Sequence, residues 1–176
     1  REAIRNGIAP EKIHSVVWLA EADMESVGKD TAKGIRKFEG TANGTDSELI
    51  QEIITKVIEP GHGSGPKENV GRTYYNVGVA TMAVSVEAAR LALEKFGPPL
   101  DGDKLRQGFE MIKDYDAKGL LPPLSFSTED HQGGGFGRVS HWDGEKWAPL
   151  NDWGNPYQDI VWESIRQDAA AFKEGR

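Results

Sequence analysis

Residues 74–96, YYNVGVATMAVSVEAARLALEKF, are the longest helix-periodic apolar run in the chain, and Gly97-Pro98-Pro99 stops them. Met82, Ala89 and Phe96 recur every seven residues, with Val86 and Leu93 between them. That spacing predicts a long helix whose Met82–Val86–Leu93 stripe packs inward. Gly78, Ala80, Ala83, Ala88, Ala89 and Ala92 are small enough for a neighbouring backbone to come close. Charge enters only at Glu87, Arg90, Glu94 and Lys95, so the first half is expected to be the more buried. The polar opening, Tyr74, Tyr75 and Asn76, either faces a ligand or roofs the core.

Ahead of this helix, residues 15–20 (SVVWLA) are a short continuous apolar run, as expected of a central strand in a mainly parallel sheet. Glu21 follows at once, with Asp23 and Glu25 close behind. A carboxylate just past a buried strand sits at the ligand edge of an open α/β sheet. The same position also suits a solvated loop acid or a helix cap.

Further along, residues 35–38 read as a second strand. Residues 47–58 read as a helix capped by Thr45 or Asp46, with Leu49, Ile50, Ile53, Ile54 and Val57 inward. The loop 60–66 (PGHGSGP) has phosphate-loop spacing, but no strand enters it and no Lys-Ser/Thr follows, so that reading fails. Asp101 or Asp103 caps a helix over 104–114 with Leu105, Phe109 and Ile112 inward, and 124–127 reads as a strand. Asp143-Gly144 between the β-like runs 138–142 and 146–150 signals a hairpin. A last helix over 160–172 directs Ile160, Val161, Ser164, Ile165, Ala169 and Phe172 inward.

Composition narrows the function. The 176 residues carry a net charge of −7 with no basic stripe, which argues against a nucleic-acid partner. The absence of cysteine removes disulfides and thiolate metal sites. No run reads as a membrane span, and the opening at Arg1 reads as the middle of a helix, as in a fragment or a processed chain. Asp130, His131, His141 and Asp143 have metal-ligating chemistry but match no ligand spacing, so no metal site is expected there. The chain holds no nucleophile elbow and no cofactor fingerprint, so neither catalytic residues nor a cofactor are expected.

The order of these parts carries a resemblance: a strand ending near Glu21, Ala32-Lys33-Gly34-Ile35 leading a second, Tyr74-Tyr75-Asn76-x-Gly78 opening an Ala-rich helix, Thr128-Glu129-Asp130-His131, and the hairpin ending Trp147-x-Pro149-Leu150. The chain resembles the C-terminal half of a type I periplasmic solute-binding protein, in the branched-chain amino acid group that feeds ABC transporters. The resemblance implies an α/β fold of doubly wound parallel sheets in two lobes, with a small-molecule solute, an amino acid or organic acid, held between them. It assigns 1–40 to the C-terminal lobe, 41–127 to the N-terminal lobe, and 128–176 to the hinge return, hairpin and final helix. It implies that Glu21 pairs with a ligand ammonium and that Trp18 or Met24 lines the cleft; Tyr74 and Tyr75, at the polar opening of the long helix, join them as candidate ligand-binding residues. The ligand carboxylate would be held by residues of the family's first half, which this sequence does not include. The implied partner is a membrane permease and the implied location periplasmic or cell-surface. A ligand-sensing domain of the same fold, or an α/β enzyme using acids 21–25, are the alternatives.

Overall fold

The structure, a computed structural model, describes residues 1–175. In chain order it contains α1 (Glu2–Arg5), β1 (His14–Ser15), α2 (Glu21–Val27), β2 (Arg36–Glu39), α3 (Glu48–Ile53), α4 (Thr73–Phe96), α5 (Gly102–Met111), β3 (Arg138–Trp142), β4 (Trp147–Pro149) and α6 (Gln158–Lys173). A π-helical stretch, Ile54–Ile58, prolongs α3. The class is mixed α/β.

The sheet runs β1-β2-β3-β4, with β1 parallel to β2 and the remaining pairs antiparallel. This corrects the expectation of a mainly parallel sheet centred on residues 15–20. Only His14 and Ser15 of that region pair, and they lie at the sheet's edge. The chain then turns, with the Leu19 N–H donating to the Val16 carbonyl at 3.2 Å, and Val16 and Trp18 are 62% and 58% exposed. The 124–127 strand is likewise reduced to one bridge between Leu124 and Tyr115. The hairpin forms as expected. The Asp143 carboxylate accepts from the Glu145 and Lys146 N–H groups at 2.8 and 2.9 Å, and Gly144 takes φ 111°.

The caps follow the sequence closely. Ser47 rather than Thr45 or Asp46 caps α3, accepting from the Ile50 N–H at 3.4 Å. Asp101 caps α5, accepting from the Lys104 N–H at 2.9 Å.

Two hydrophobic clusters form. One gathers Met24, Ala32, Ile35, Trp142 and Trp147, the two indoles meeting edge to face at 5.5 Å. The other gathers Ile50, Ala80, Ala117, Leu120 and Leu121. Helix α4 presents its small face inward: Asn76, Ala80, Ala88 and Ala92 are buried, four residues or a multiple of four apart. α5 lies against that face, so close that a Cβ on Gly108 would stand 2.1 Å from the Ala88 carbonyl oxygen.

The predicted stripe therefore points the wrong way. Met82 and Val86 are each 61% exposed, and Leu93 is exposed as well. Backbone proximity to α5 requires small residues at the contact, which outweighs the pull of the larger side chains on the opposite face. Val57 and the α6 residues Ile160, Val161, Ser164, Ile165, Ala169 and Phe172 are also exposed rather than inward. α6 has few neighbours against which to bury them. By length and composition alone, α4 is long and apolar enough to cross a bilayer, contrary to the expectation that no run is.

Candidate functional site

α2 and α4 begin beside one another, and their junction is where the chain concentrates buried polar chemistry. Ala20 precedes α2 without a side-chain acceptor, and Asp23 compensates by accepting from the Ala20 N–H at 2.8 Å. α4 begins after Arg72, whose side chain makes no cap. Glu21 supplies that cap from 52 residues away. Both of its carboxylate oxygens accept from the Thr73 N–H, at 3.2 and 3.1 Å, and one accepts from the Thr73 hydroxyl at 3.0 Å. A carboxylate is favoured here because it meets unpaired N–H groups and the positive end of the helix dipole.

Behind Thr73 lies Lys37, 1% exposed in the middle of β2. Its ammonium donates to the Leu19 carbonyl (3.1 Å), the Asn43 side-chain oxygen (3.4 Å) and the Thr73 hydroxyl (2.9 Å), using all three protons. It also lies 4.4 Å from the centre of the Trp147 ring. Burial pushes the Lys37 ammonium down to about 8, against Glu39, Glu21 and Asp23, which favour the charged form. Asn43 passes the network on by donating to Glu39, which accepts from Arg138 at 3.0 Å, and Arg138 lies over the Trp153 ring. Asn76 anchors the adjoining loop by donating to the Ala42 and Gly44 carbonyls, both at 2.9 Å.

Three cavities open onto this network. One of about 460 Å³ is lined by Glu21, Glu25, Asn69, Arg72, Tyr74 and Tyr75. A wider one of about 700 Å³ borders Glu21 and Arg72 and runs past Asn43 towards Arg138 and Trp147. A small one of about 160 Å³ lies against Trp18, Lys37, Asn43 and Thr73.

Of the residues singled out from sequence, Glu21, Tyr74 and Tyr75 share the 460 Å³ cavity. Trp18 borders the small cavity and stacks on Tyr74 at 6.4 Å and 20°, while the Tyr74 hydroxyl donates to the Trp18 carbonyl at 2.8 Å. Met24 is the exception. It is 1% exposed, packed with Trp142 and Trp147 in the core, and lines none of these cavities. α2 winds its fourth residue onto the inner face while its first stays at the junction.

Lys37, Asn43, Arg72 and Thr73 were not singled out from sequence. One signal was available for Lys37: Lys37 and Glu39 share a strand face, opposite charges two residues apart, while Phe38 faces outward across Gly137.

The expected lack of a metal site concerned Asp130, His131, His141 and Asp143. Asp130 accepts from the Gln132 and Gly133 N–H groups, His131 lies 3.4 Å from Glu110, His141 stands on β3 and Asp143 closes the hairpin. Among the described residues no group of three or more His, Asp or Glu is placed to hold a metal ion.

No family model matches the chain, and no curated protein does. Solved structures do. A structure named as an ABC transporter permease from the Pseudomonas fluorescens group is 32% identical, with TM-score 0.86, over 98% of this chain and 44% of that one. A branched-chain amino acid ABC transporter from Thermus thermophilus, solved with bound valine, is 17% identical with TM-score 0.72, over 92% of this chain and 44% of that one. An ABC transporter substrate-binding protein from Aeropyrum pernix is 15% identical with TM-score 0.65, over 88% of this chain and 40% of that one. The chain thus spans less than half the length of the proteins it matches, and over that span its fold is that of ABC transporter components, substrate-binding proteins among them.

Proposed function

We propose that this chain is part of the solute-binding component of an ABC importer, and that the α2–α4 junction receives the cationic end of an amino acid or related small solute. The observation that carries this reading is Glu21: a carboxylate fixed by Thr73, at the wall of a cavity with two tyrosines, in a fold shared with ABC transporter components. A carboxylate held in place before the ligand arrives loses little freedom on binding, and pairing offsets the desolvation of an ammonium. The bound valine of the Thermus thermophilus structure supports an amino acid of the branched-chain class.

On this reading residues 1–40 and 41–127 contribute to two lobes, and 128–176 returns between them. The two hydrophobic clusters support such a division, since one draws on residues 4–35 with Trp142 and Trp147 and the other on residues 42–124. The protein performs no chemical step and uses no cofactor. It works at the outer side of the membrane, closing on its solute and presenting the closed form to a permease.

The test is isothermal titration of the complete natural protein with L-valine, L-leucine and L-phenylalanine. Glu21→Gln keeps an acceptor for Thr73 but removes the charge, and it should weaken binding by at least about 30-fold, since truncating one partner of a buried charge pair costs about 2–5 kcal/mol. Asp23→Ala removes a carboxylate that serves its own helix start, and should change affinity by less than about threefold. Equal affinities for wild type and Glu21→Gln reject the role of Glu21, and conversion of a titrant to product rejects a binding protein in favour of an enzyme.

A further inference from the structure

Lys37 is a buried cation whose three acceptors, the Leu19 carbonyl, the Asn43 side-chain oxygen and the Thr73 hydroxyl, are all neutral. The carboxylates that favour its charged form, Glu39, Glu21 and Asp23, stand beyond them. Glu39 already has Arg138 at 3.0 Å, and Asp23 serves the Ala20 N–H. Among the described residues the side-chain contacts of Glu21 are all with Thr73. One atom joins Glu21 to Lys37: the Thr73 hydroxyl oxygen, 2.9 Å from the ammonium and 3.0 Å from the carboxylate. Elsewhere around Lys37, β4 offers the Trp147 ring and β3 offers Ser140, its partner in register. His141 pairs with Arg36 on the alternate face, and Arg72 at the start of α4 is paired with Glu25. The Thr73 hydroxyl has one proton and two acceptors for it, Glu21 at 3.0 Å and Asn43 at 2.7 Å. It can turn that proton to a neutral amine but not to an ammonium, which has no lone pair. The protonation of Lys37 therefore sets what Thr73 offers Glu21.

We propose that Lys37 is a positioning residue that couples solute binding to proton release: the solute cation takes the Glu21 lone pair held by the Thr73 hydroxyl, the hydroxyl turns to Lys37, and Lys37 gives up one proton. This rests on the solute-binding reading above. The ammonium passes one proton to water through the 160 Å³ cavity that Lys37 borders. Its two remaining N–H groups donate to Leu19 and Asn43, and its nitrogen lone pair accepts from Thr73. The Thr73 N–H keeps the Glu21 carboxylate in place throughout. Burial already holds the Lys37 ammonium down to about 8, and a cation on Glu21 offsets one of the carboxylates that oppose its release. Linkage is reciprocal, so a proton on Lys37 opposes the solute cation, and affinity rises as pH rises through the Lys37 titration.

The experiment is isothermal titration of the complete natural protein with whichever of L-valine, L-leucine and L-phenylalanine binds tightest, in phosphate and in Tris. The two buffers differ in ionisation enthalpy, so the difference in heat counts the protons released. Wild type should release roughly half a proton per solute near pH 7.5, and its affinity should rise at least about threefold between about pH 6.5 and 8.5. Lys37→Met, neutral at every pH, should lose both effects and bind at the lower pH about as tightly as wild type does at the higher. Lys37→Arg holds a charge it cannot give up, so it should also lose both effects but stay at the weaker, low-pH affinity. Titration of the solute itself is common to all these proteins and cancels between them. Circular dichroism melts establish which variants fold, and Thr73→Val, which removes the connecting hydroxyl, should abolish the release if neither Lys37 variant does. Wild-type binding without proton release, or release that persists in a folded variant, overturns the role of Lys37 while leaving that of Glu21 standing. Failure of wild type to bind any of the three amino acids overturns both.

Discussion

The Lys37 ammonium donates to the Thr73 hydroxyl across 2.9 Å, joining the middle of β2 to the first turn of α4. The cation has exchanged water for three protein acceptors and an indole face. Its pKa is lowered to about 8 by that burial, whereas the unfolded chain keeps the ordinary value of 10.5. Between those two values the unfolded state binds a proton that the folded state has released, so stability rises with pH across the window.

Lys37→Met removes this titration. The stability difference, wild type minus Lys37→Met, should climb by about 3 kcal/mol between pH 7.5 and 10.5. Urea denaturation of both proteins across that range measures it, and other alkaline titrations cancel in the difference. A flat difference would mean that Lys37 keeps an ordinary affinity for its proton.

Glu21 does structural work, because it caps a helix that has no cap of its own. Glu21→Ala should cost about 1 kcal/mol of stability, within the range for lost helix caps, and Glu21→Gln clearly less. Of the solvated loop acid and the helix cap that its sequence position also suited, the structure shows a cap, and the helix capped is α4. Matching melting temperatures for wild type and Glu21→Ala would show that water replaces the cap at no cost.

The two faces of α4 should respond oppositely to charge. Val86→Asp lies on the exposed face and should change stability by roughly 0.5 kcal/mol or less in this chain. Ala88→Asp puts an unpaired carboxylate against α5 and should cost more than about 3 kcal/mol or prevent folding. Severe loss in Val86→Asp, with Ala88→Asp well tolerated, would restore the inward face read from the heptad spacing.

Gly108 lets α5 lie directly against α4, with Ala88 and Ala92 opposite. Gly108→Ala gains helix propensity, about 1 kcal/mol on an exposed helix. Here the added methyl meets the backbone at Ala88, which no rotamer relieves. The net change should be a destabilisation of about 1–3 kcal/mol, as for other overpacked cores. A rise in the melting temperature would mean that the helices separate freely.

What the sequence made legible was local. The Asp-Gly pair announced the hairpin, Gly97-Pro98-Pro99 ended α4 at Phe96, and Asp101 marked the start of α5. What it hid depends on partners far along the chain. Residues 16–20 have the composition of a buried strand, yet they turn towards α2, and no local rule separates the two outcomes. The inward face of α4 is set by how near α5 comes to Ala88 and Ala92 and by the cluster around Ala80, so these small residues prevail over Met82 and Val86. At the candidate site, Glu21 was readable from its place after an apolar run. Its contact with Thr73 spans 52 residues and the Lys37–Thr73 contact 36, so neither leaves a local pattern.

The central claim is that the α2–α4 junction receives the cationic end of a solute. Its most direct test is a crystal structure of the complete natural protein with whichever of L-valine, L-leucine and L-phenylalanine binds tightest. The account predicts the ammonium at about 3 Å from a Glu21 carboxylate oxygen and the side chain against Tyr74 or Tyr75. Density for the amino acid away from this junction, for instance in the hollow beside Leu105, Phe109 and Phe126, with Glu21 contacting Thr73 alone, would contradict it.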